Sequence, residues 1–170
     1  MLKALKNQGP PEKEGGLTGP TVMKEYWRRP SDTAEAIGTG RWLKTGDVGR
    51  LQAGRLFIES RKRDLILRGG ENVYPVEIEH CLEMHPSVQE ACVVGVDHEE
   101  LGQEVKAIVV PAPGSVPDPA ELRRFVAERL AYFKVPAHFE LRSAPLPRNA
   151  AGKVMKHALL PGGASALQEE

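Results

Sequence analysis

Apolar positions are scattered up to about Lys62 and become dense and ordered from Asp64 to Leu160. Val88 to Val96 and Val105 to Val110 are largely apolar runs of strand length, separated by the polar turn Asp97-His98-Glu99-Glu100-Leu101-Gly102, and read as buried strands. Leu65-Ile66-Leu67 and Asn72-Val73-Tyr74 flank Gly69-Gly70, the mark of a tight hairpin. Pro75 then opens a helix to about His85, with Ile78 and Leu82 one turn apart toward the core and Pro86 blocking continuation. A second helix starts at Asp118, a capping residue followed by Pro119 and by Glu121 at capping-box spacing. Leu122, Phe125, Val126, Leu130 and Phe133 fall on one stripe, with Arg123, Arg124 and Glu128 opposite. A short strand (Phe139-Glu140-Leu141), a loop containing Lys153 and a last helical turn from Met155 to Leu160 complete the pattern.

Upstream the signal is thinner. Residues 1–18 are rich in Gly, Pro, Lys and Glu and read as a disordered lead-in. In residues 19–62, Thr21-Val22-Met23, Trp42-Leu43-Lys44 and Arg55-Leu56-Phe57-Ile58 read as short strands between Gly and Pro turns. Strands this short bury little surface, so apolar groups such as Trp42 and Phe57 are expected to be exposed or covered by self-association. The expected organisation is a lead-in at 1–18, a β-rich segment at 19–62, a domain at 63–160 and a disordered tail at 161–170. The fold class is α+β: a small three-stranded sheet with packed helices, preceded by a short β-hairpin subdomain.

Composition narrows the function. With 170 residues the chain can build one compact domain and an attachment. Apolar (41%) and charged (27%) fractions are those of a soluble globular protein. Net charge is zero, so no broad field invites nucleic acid or an anionic membrane. Cys81 and Cys92 make no disulfide framework and read as reduced, buried residues. The opening Met1-Leu2-Lys3-Ala4-Leu5-Lys6 is too short and charged for a secretory signal, and no apolar run reaches bilayer length. A cytoplasmic location is expected. There is no Walker loop, no zinc-spaced Cys or His pair and no G-x-S-x-G elbow. Asp97-His98-Glu99-Glu100 lacks ligand spacing and reads as a solvated loop, and no metal site is expected. No partner can be named for His80, His85, His138 or His157.

Three stretches carry the chemistry: Thr45-Gly46-Asp47, Gly69-Gly70-Glu71-Asn72-Val73-Tyr74-Pro75-Val76-Glu77-Ile78-Glu79, and Pro147-Arg148-Asn149-Ala150-Ala151-Gly152-Lys153. Each alone has a bland reading: an Asx-turn, a plain hairpin, a solvated lysine. In this order and at these separations they resemble the last third of an AMP-forming acyl-CoA synthetase, with the glycine-turn wording closest to fatty or aryl acyl-CoA ligases. Gly19-Pro20-Thr21-Val22-Met23-Lys24-Glu25-Tyr26-Trp27 also resembles a family segment, with Glu25 where glycine is usual.

The resemblance implies roles. Lys153, on a mobile glycine-containing loop, would reach the carboxylate and the α-phosphate during adenylation; Ala151 stands where threonine is frequent. Asp47 would accept the ribose hydroxyls and Arg61 would contact ribose or phosphate. Gly69 and Gly70 would approach the reacting centre in the thioester-forming orientation and line the pantetheine tunnel. Arg63 falls at the hinge, where Asp or Lys is usual. Phe133, Lys134 and Pro136 match a family segment, but Val135 and Ala137 replace the basic residues that hold CoA phosphates in some ligases. Glu77 and Glu79 read as surface helix residues.

The implied function is the C-terminal domain of an acyl-CoA synthetase converting a carboxylic acid, ATP and CoA to acyl-CoA, AMP and pyrophosphate, inactive alone, with residues 19–62 as the β-rich end of the large N-terminal domain and 63–160 as the mobile C-terminal domain. The family's phosphate loop, adenine motif and acyl pocket are missing from this sequence. ATP or AMP and CoA would therefore bind only with an N-terminal adenylation domain in cis or trans, which would also supply Mg. Two alternatives stay open: a non-catalytic stand-alone module that binds a synthetase or carrier protein, and the end of an enzyme that loads carrier proteins.

Overall fold

A computed structural model describes residues 13–53 and 55–160; the expectations for residues 1–12 and for the tail at 161–170 lie outside them. The chain divides into two units, Met1–Arg63 and Asp64–Glu170.

The first unit is a four-stranded antiparallel sheet built around one long strand. Its strands are β1 (Lys13–Leu17), β2 (Ile37–Gly38), β3 (Trp42–Gln52) and β4 (Arg55–Arg61). β3 is long enough to pair with β1, β2 and β4, in registers that include Gly16↔Lys44, Ile37↔Leu43 and Asp47↔Arg61. This is more than the short hairpin expected. The lead-in ends sooner than residue 18, because β1 pairs with β3 and the Thr45 hydroxyl donates to the Gly15 carbonyl (3.1 Å). Thr21-Val22-Met23 is a turn, not a strand: Pro20 has no N–H for a ladder, and the Val22 N–H closes onto the Gly19 carbonyl (3.1 Å). A helix, α1 (Pro30–Ala36), follows with Pro30 in its first turn. At Gly49 the strands come so close that a Cβ would sit 2.3 Å from the Phe57 carbonyl oxygen, which excludes any side chain there. Trp42 is half-buried, whereas Leu56, Phe57 and Ile58 are exposed, with the Arg50 guanidinium 4.9 Å from the Phe57 ring centre.

The second unit is α+β, with a five-stranded sheet where three strands were expected. The strands are β5 (Ile66–Arg68), β6 (Glu71–Val73), β7 (Val88–His98), β8 (Gly102–Pro111) and β9 (His138–Leu141). β8 explains the difference. It pairs with β7 from Pro111 to Gly102 and also holds β5 through Arg68↔Gly102 and β9, in parallel, from Lys106↔His138 to Val109↔Leu141. The glycine hairpin and the late short strand thus join the sheet of the two apolar runs.

β7 and β8 read as continuous apolar runs because both faces of the sheet are covered. On one face Ala91, Val93, Val105, Ala107 and Val109 pack with α2 (Pro75–Glu83) and α3 (Pro119–Ala127) through Ile78, Leu82, Leu122 and Val126. On the other, Cys92, Val94, Ile108 and Val110 pack with Leu146 and Leu159 of the C-terminal arm. The Asp118 carboxylate accepts the Ala120 N–H (3.0 Å), the cap expected of α3. The helix stops at Ala127, so Leu130 and Phe133 join the core from the segment beyond it.

Candidate functional site

Asp47 and Arg61 face one another across β3 and β4, with Arg61 Nε 2.7 Å from Asp47 Oδ1. The Thr45 hydroxyl accepts the Asp47 N–H (3.1 Å) and fixes the strand where the carboxylate leaves it. Both side chains keep solvent contact (25% and 45% exposed), so a carboxylate acceptor and a guanidinium donor are presented side by side. An open cleft of about 570 Å³ in the same unit is lined by Arg29, Asp32, Glu35, Lys44, Thr45 and Lys62, among others, and carries charges of both signs.

In the second unit, Gly69 and Gly70 form the two-residue turn of the β5–β6 hairpin between the paired Arg68 and Glu71. Both have positive φ (57° and 87°), the requirement of a type I′ turn. A Cβ on Gly69 would meet Leu101 Cδ2 at 3.2 Å, while Gly70 faces open space. The hairpin is bolted to β8 and to the residue just before it by three sets of bonds. The Gly69 N–H donates to the Leu101 carbonyl (2.9 Å), the Leu67 N–H to Gln103 Oε1 (2.9 Å), and Arg68 gives a two-pronged bond to Glu104 (2.5 and 3.0 Å).

Burial alone would raise the Glu104 carboxyl, but the Arg68 hydrogen bond, the Val105 N–H and the Arg68 charge outweigh it and hold its pKa below the ordinary 4.5. A folded pKa below the unfolded one stabilises the fold above the unfolded value, and the contribution is lost as pH falls through the folded value. Glu104→Gln is therefore expected to cost about 1–3 kcal/mol at neutral pH and to flatten the acid limb of stability. Urea midpoints at neutral pH and on the acid side of 4.5 check it: the gap between wild type and variant should narrow in acid.

Lys153 stands on a closed hairpin, where a mobile loop was expected. Arg148 and Val154 form a β-bridge, and the Asn149 N–H donates to the Lys153 carbonyl (2.9 Å). The Asn149 side-chain oxygen accepts the N–H groups of Ala151 (3.1 Å) and Lys153 (2.9 Å). Arg148 donates to the Gly152 carbonyl (2.9 Å) and to Glu90 (3.2 Å). These local bonds, invisible in apolar periodicity, replace loop freedom with a defined turn. Lys153, beside the turn and opposite Asn149, is exposed.

The two glutamates read as helix-surface residues are both paired, and Glu79 is sheltered as well. Glu79 is 15% exposed at its side chain and accepts from the Val93 N–H (2.8 Å) and the Lys156 ammonium (2.7 Å). Glu77 pairs with Lys134 (2.6 Å), which ties the Phe133–Pro136 segment to α2. The repeated wording Val76-Glu77-Ile78-Glu79 was the available signal; its partners lie 57 and 77 residues away. Cys81 and Cys92 are buried and free; burial raises both thiols, Cys92 to about 11, which leaves them protonated and unreactive at neutral pH. The His98 ring accepts the Glu100 and Leu101 N–H groups (3.2 and 3.3 Å) and so closes the β7–β8 turn. Among the described residues no group of three or more His, Cys, Asp or Glu is placed to hold a metal, and no helix is long and apolar enough to cross a membrane.

Asp47 and Arg61 are thus brought together in one unit, whereas the glycine turn and Lys153 occupy separate elements of the other. Residues 77–153 match the family described as AMP-binding enzyme C-terminal domain. The chain is 47% identical over 144 residues to the fatty acid–acyl-carrier-protein ligase ScoC of Streptomyces coeruleorubidus, covering 84% of this chain and 27% of that protein. It is 49% identical over 144 residues to the 2-succinylbenzoate–CoA ligase of Geobacillus kaustophilus, covering 84% and 29%. The crystal structure of ATP-bound MatB from Rhodopseudomonas palustris superposes with a TM-score of 0.83 at 36% identity, covering 90% of this chain and 30% of that one. The chain carries the AMP-binding enzyme C-terminal domain of the adenylate-forming acyl-CoA ligases. It spans 27% to 30% of the length of these three relatives.

Proposed function

We propose that this chain is the catalytic C-terminal portion of an AMP-forming acyl-CoA ligase and works only with a larger N-terminal portion. The observation that carries the reading is Lys153: a clamped arm presents it exposed on the domain that matches the ligase family.

In the first half-reaction a carboxylate oxygen attacks the α-phosphorus of ATP and pyrophosphate leaves. Negative charge builds on the phosphoryl oxygens, and the Lys153 ammonium meets it. Asp47 accepts from the ribose hydroxyls while Arg61 donates to ribose or phosphate, which fits the paired carboxylate and guanidinium. In the second half-reaction the CoA sulfur attacks the acyl carbon, AMP leaves, and the thiol proton passes to solvent. The glycine turn borders the pantetheine path, where a side chain would obstruct it. Arg63 serves as the hinge between orientations, a role supported by the division of the chain after this residue. The N-terminal portion supplies the adenine slot, the phosphate cradle with its Mg, and the acyl pocket, and the assembled enzyme works in the cytoplasm.

A carrier protein as acceptor is the second reading. Val135 and Ala137 offer no charge to CoA phosphates, and the Streptomyces relative is itself a carrier-protein ligase.

The test is reconstitution. The chain alone is expected to catalyse no acid-dependent ATP–pyrophosphate exchange and to bind ATP without saturation at micromolar concentrations, because ordering so few contacts costs what they return. Adding the N-terminal portion of a relative restores exchange with a cognate acid. Exchange by the chain alone overturns the reading.

A further inference from the structure

We propose that the ion pair between Glu79 and Lys156 is the positioning joint of Lys153, clipping the lysine arm to helix α2 around the edge of the sheet. The inference rests on the adenylation role given to Lys153 above.

β7 is the outer strand of the sheet, with β8 on its inner side. An outer strand carries backbone groups that no neighbouring strand satisfies. At Val93 they are satisfied by side chains. Glu79 Oε1 accepts the Val93 N–H (2.8 Å), and Lys156 Nζ donates to the Val93 carbonyl (3.1 Å). The circuit closes because the same Nζ donates to the same Oε1 (2.7 Å). The two side chains are only 15% and 23% exposed, so the pair is sheltered from the screening that weakens surface ion pairs.

Its place in the fold gives it consequence. Glu79 belongs to α2, whose Ile78 and Leu82 cover one face of the sheet. Lys156 belongs to the arm, whose Leu146 and Leu159 cover the other face. The arm's other holds on the sheet are the apolar contacts of Leu146, Val154 and Leu159, which are non-directional, and the Arg148–Glu90 pair (3.2 Å), whose side chains are more exposed (45% and 27%) and so more open to screening. The Glu79–Lys156 pair is the sheltered directional contact and fixes the arm's register against β7. Between joint and catalyst the chain is short and stiff. Lys156 lies three residues after Lys153, with the Met155 N–H on the Pro147 carbonyl (2.8 Å) and the Arg148↔Val154 bridge between them. A register error at Lys156 therefore shifts the backbone from which the Lys153 ammonium is presented. Misplacing a reacting group by about 1 Å costs about a hundredfold in rate.

The joint is specific to the arm. Glu77, two residues earlier on the same helix, pairs with Lys134 (2.6 Å) and leads elsewhere. That pair supplies the control.

With the N-terminal portion of a relative supplied, Lys156→Met is expected to lower acid-dependent ATP–pyrophosphate exchange about ten- to a hundredfold. Thioester formation from added acyl-adenylate should stay within about threefold of wild type, since the joint governs only the lysine arm. Lys156→Arg keeps the donors and restores most of the exchange. Glu79→Gln keeps an acceptor for Val93 and loses the charge, giving an intermediate loss; it carries the test should Lys156→Met fail to fold. Glu77→Gln breaks an ion pair on the same helix and should leave exchange near wild type. The joint is overturned if a folded Lys156→Met retains full exchange, or if both half-reactions slow equally. Lys153→Ala in parallel separates the two readings. Intact exchange in Lys153→Ala removes the adenylation role and the joint with it; lost exchange in Lys153→Ala beside normal exchange in Lys156→Met removes the joint alone.

Discussion

Lys153→Ala is expected to cut acid-dependent ATP–pyrophosphate exchange about 10²–10³-fold in the reconstituted enzyme, the loss typical of removing one donor aimed at developing charge. The fold should survive the change. The Lys153 backbone, not its side chain, makes the hairpin's bonds: its N–H goes to the Asn149 side chain (2.9 Å) and its carbonyl accepts the Asn149 N–H (2.9 Å). Alanine keeps both. The exposed ammonium is then a catalytic group with no structural duty, and urea unfolding of the variant should match wild type. Lys153→Arg should recover little, because a planar fork does not replace a compact point charge.

Gly70→Leu is expected to slow thioester formation from supplied acyl-adenylate by about a hundredfold while leaving exchange near wild type. Space alone does not forbid the side chain, since nothing lies within 4 Å of a Cβ there. The obstruction arises where a thiol arm must pass, together with the strain of holding leucine at φ 87°. Gly70→Asn separates the two causes, because asparagine tolerates left-handed backbone better than leucine. If asparagine slows thioester formation as much as leucine, bulk decides; if it restores the rate, strain decides. Gly69 is less useful, as its Cβ would press on Leu101 Cδ2 at 3.2 Å.

What was legible in the sequence was whatever a local rule governs. The cap at Asp118, the proline openings of α2 and α3, and the left-handed turn at Gly69-Gly70 depend on neighbours a few residues away. The paired apolar runs of β7 and β8 were plain because both their faces are buried. The five-stranded sheet was not, because the parallel pairing Lys106↔His138 joins segments with no shared period. α1 was missed since none of its residues is buried and it has no apolar stripe to read. For the site, residue identities were legible and their mounting was not. Lys153 was placed on a mobile loop because Gly152 signals freedom, and Asn149 removes that freedom through two side-chain bonds. Glu79 looked like a helix-surface charge because its partners, Val93 and Lys156, come from a strand edge and a distant arm.

A division of labour between arm and turn is tested most directly by the rate at which Lys153→Ala converts supplied acyl-adenylate to acyl-CoA in the reconstituted enzyme. That step makes no pentavalent phosphorus and does not need the Lys153 charge, so the rate should stay within about threefold of wild type while exchange collapses. If it falls in proportion to exchange, Lys153 acts on both half-reactions or on the fold itself, and arm and turn do not have separate tasks.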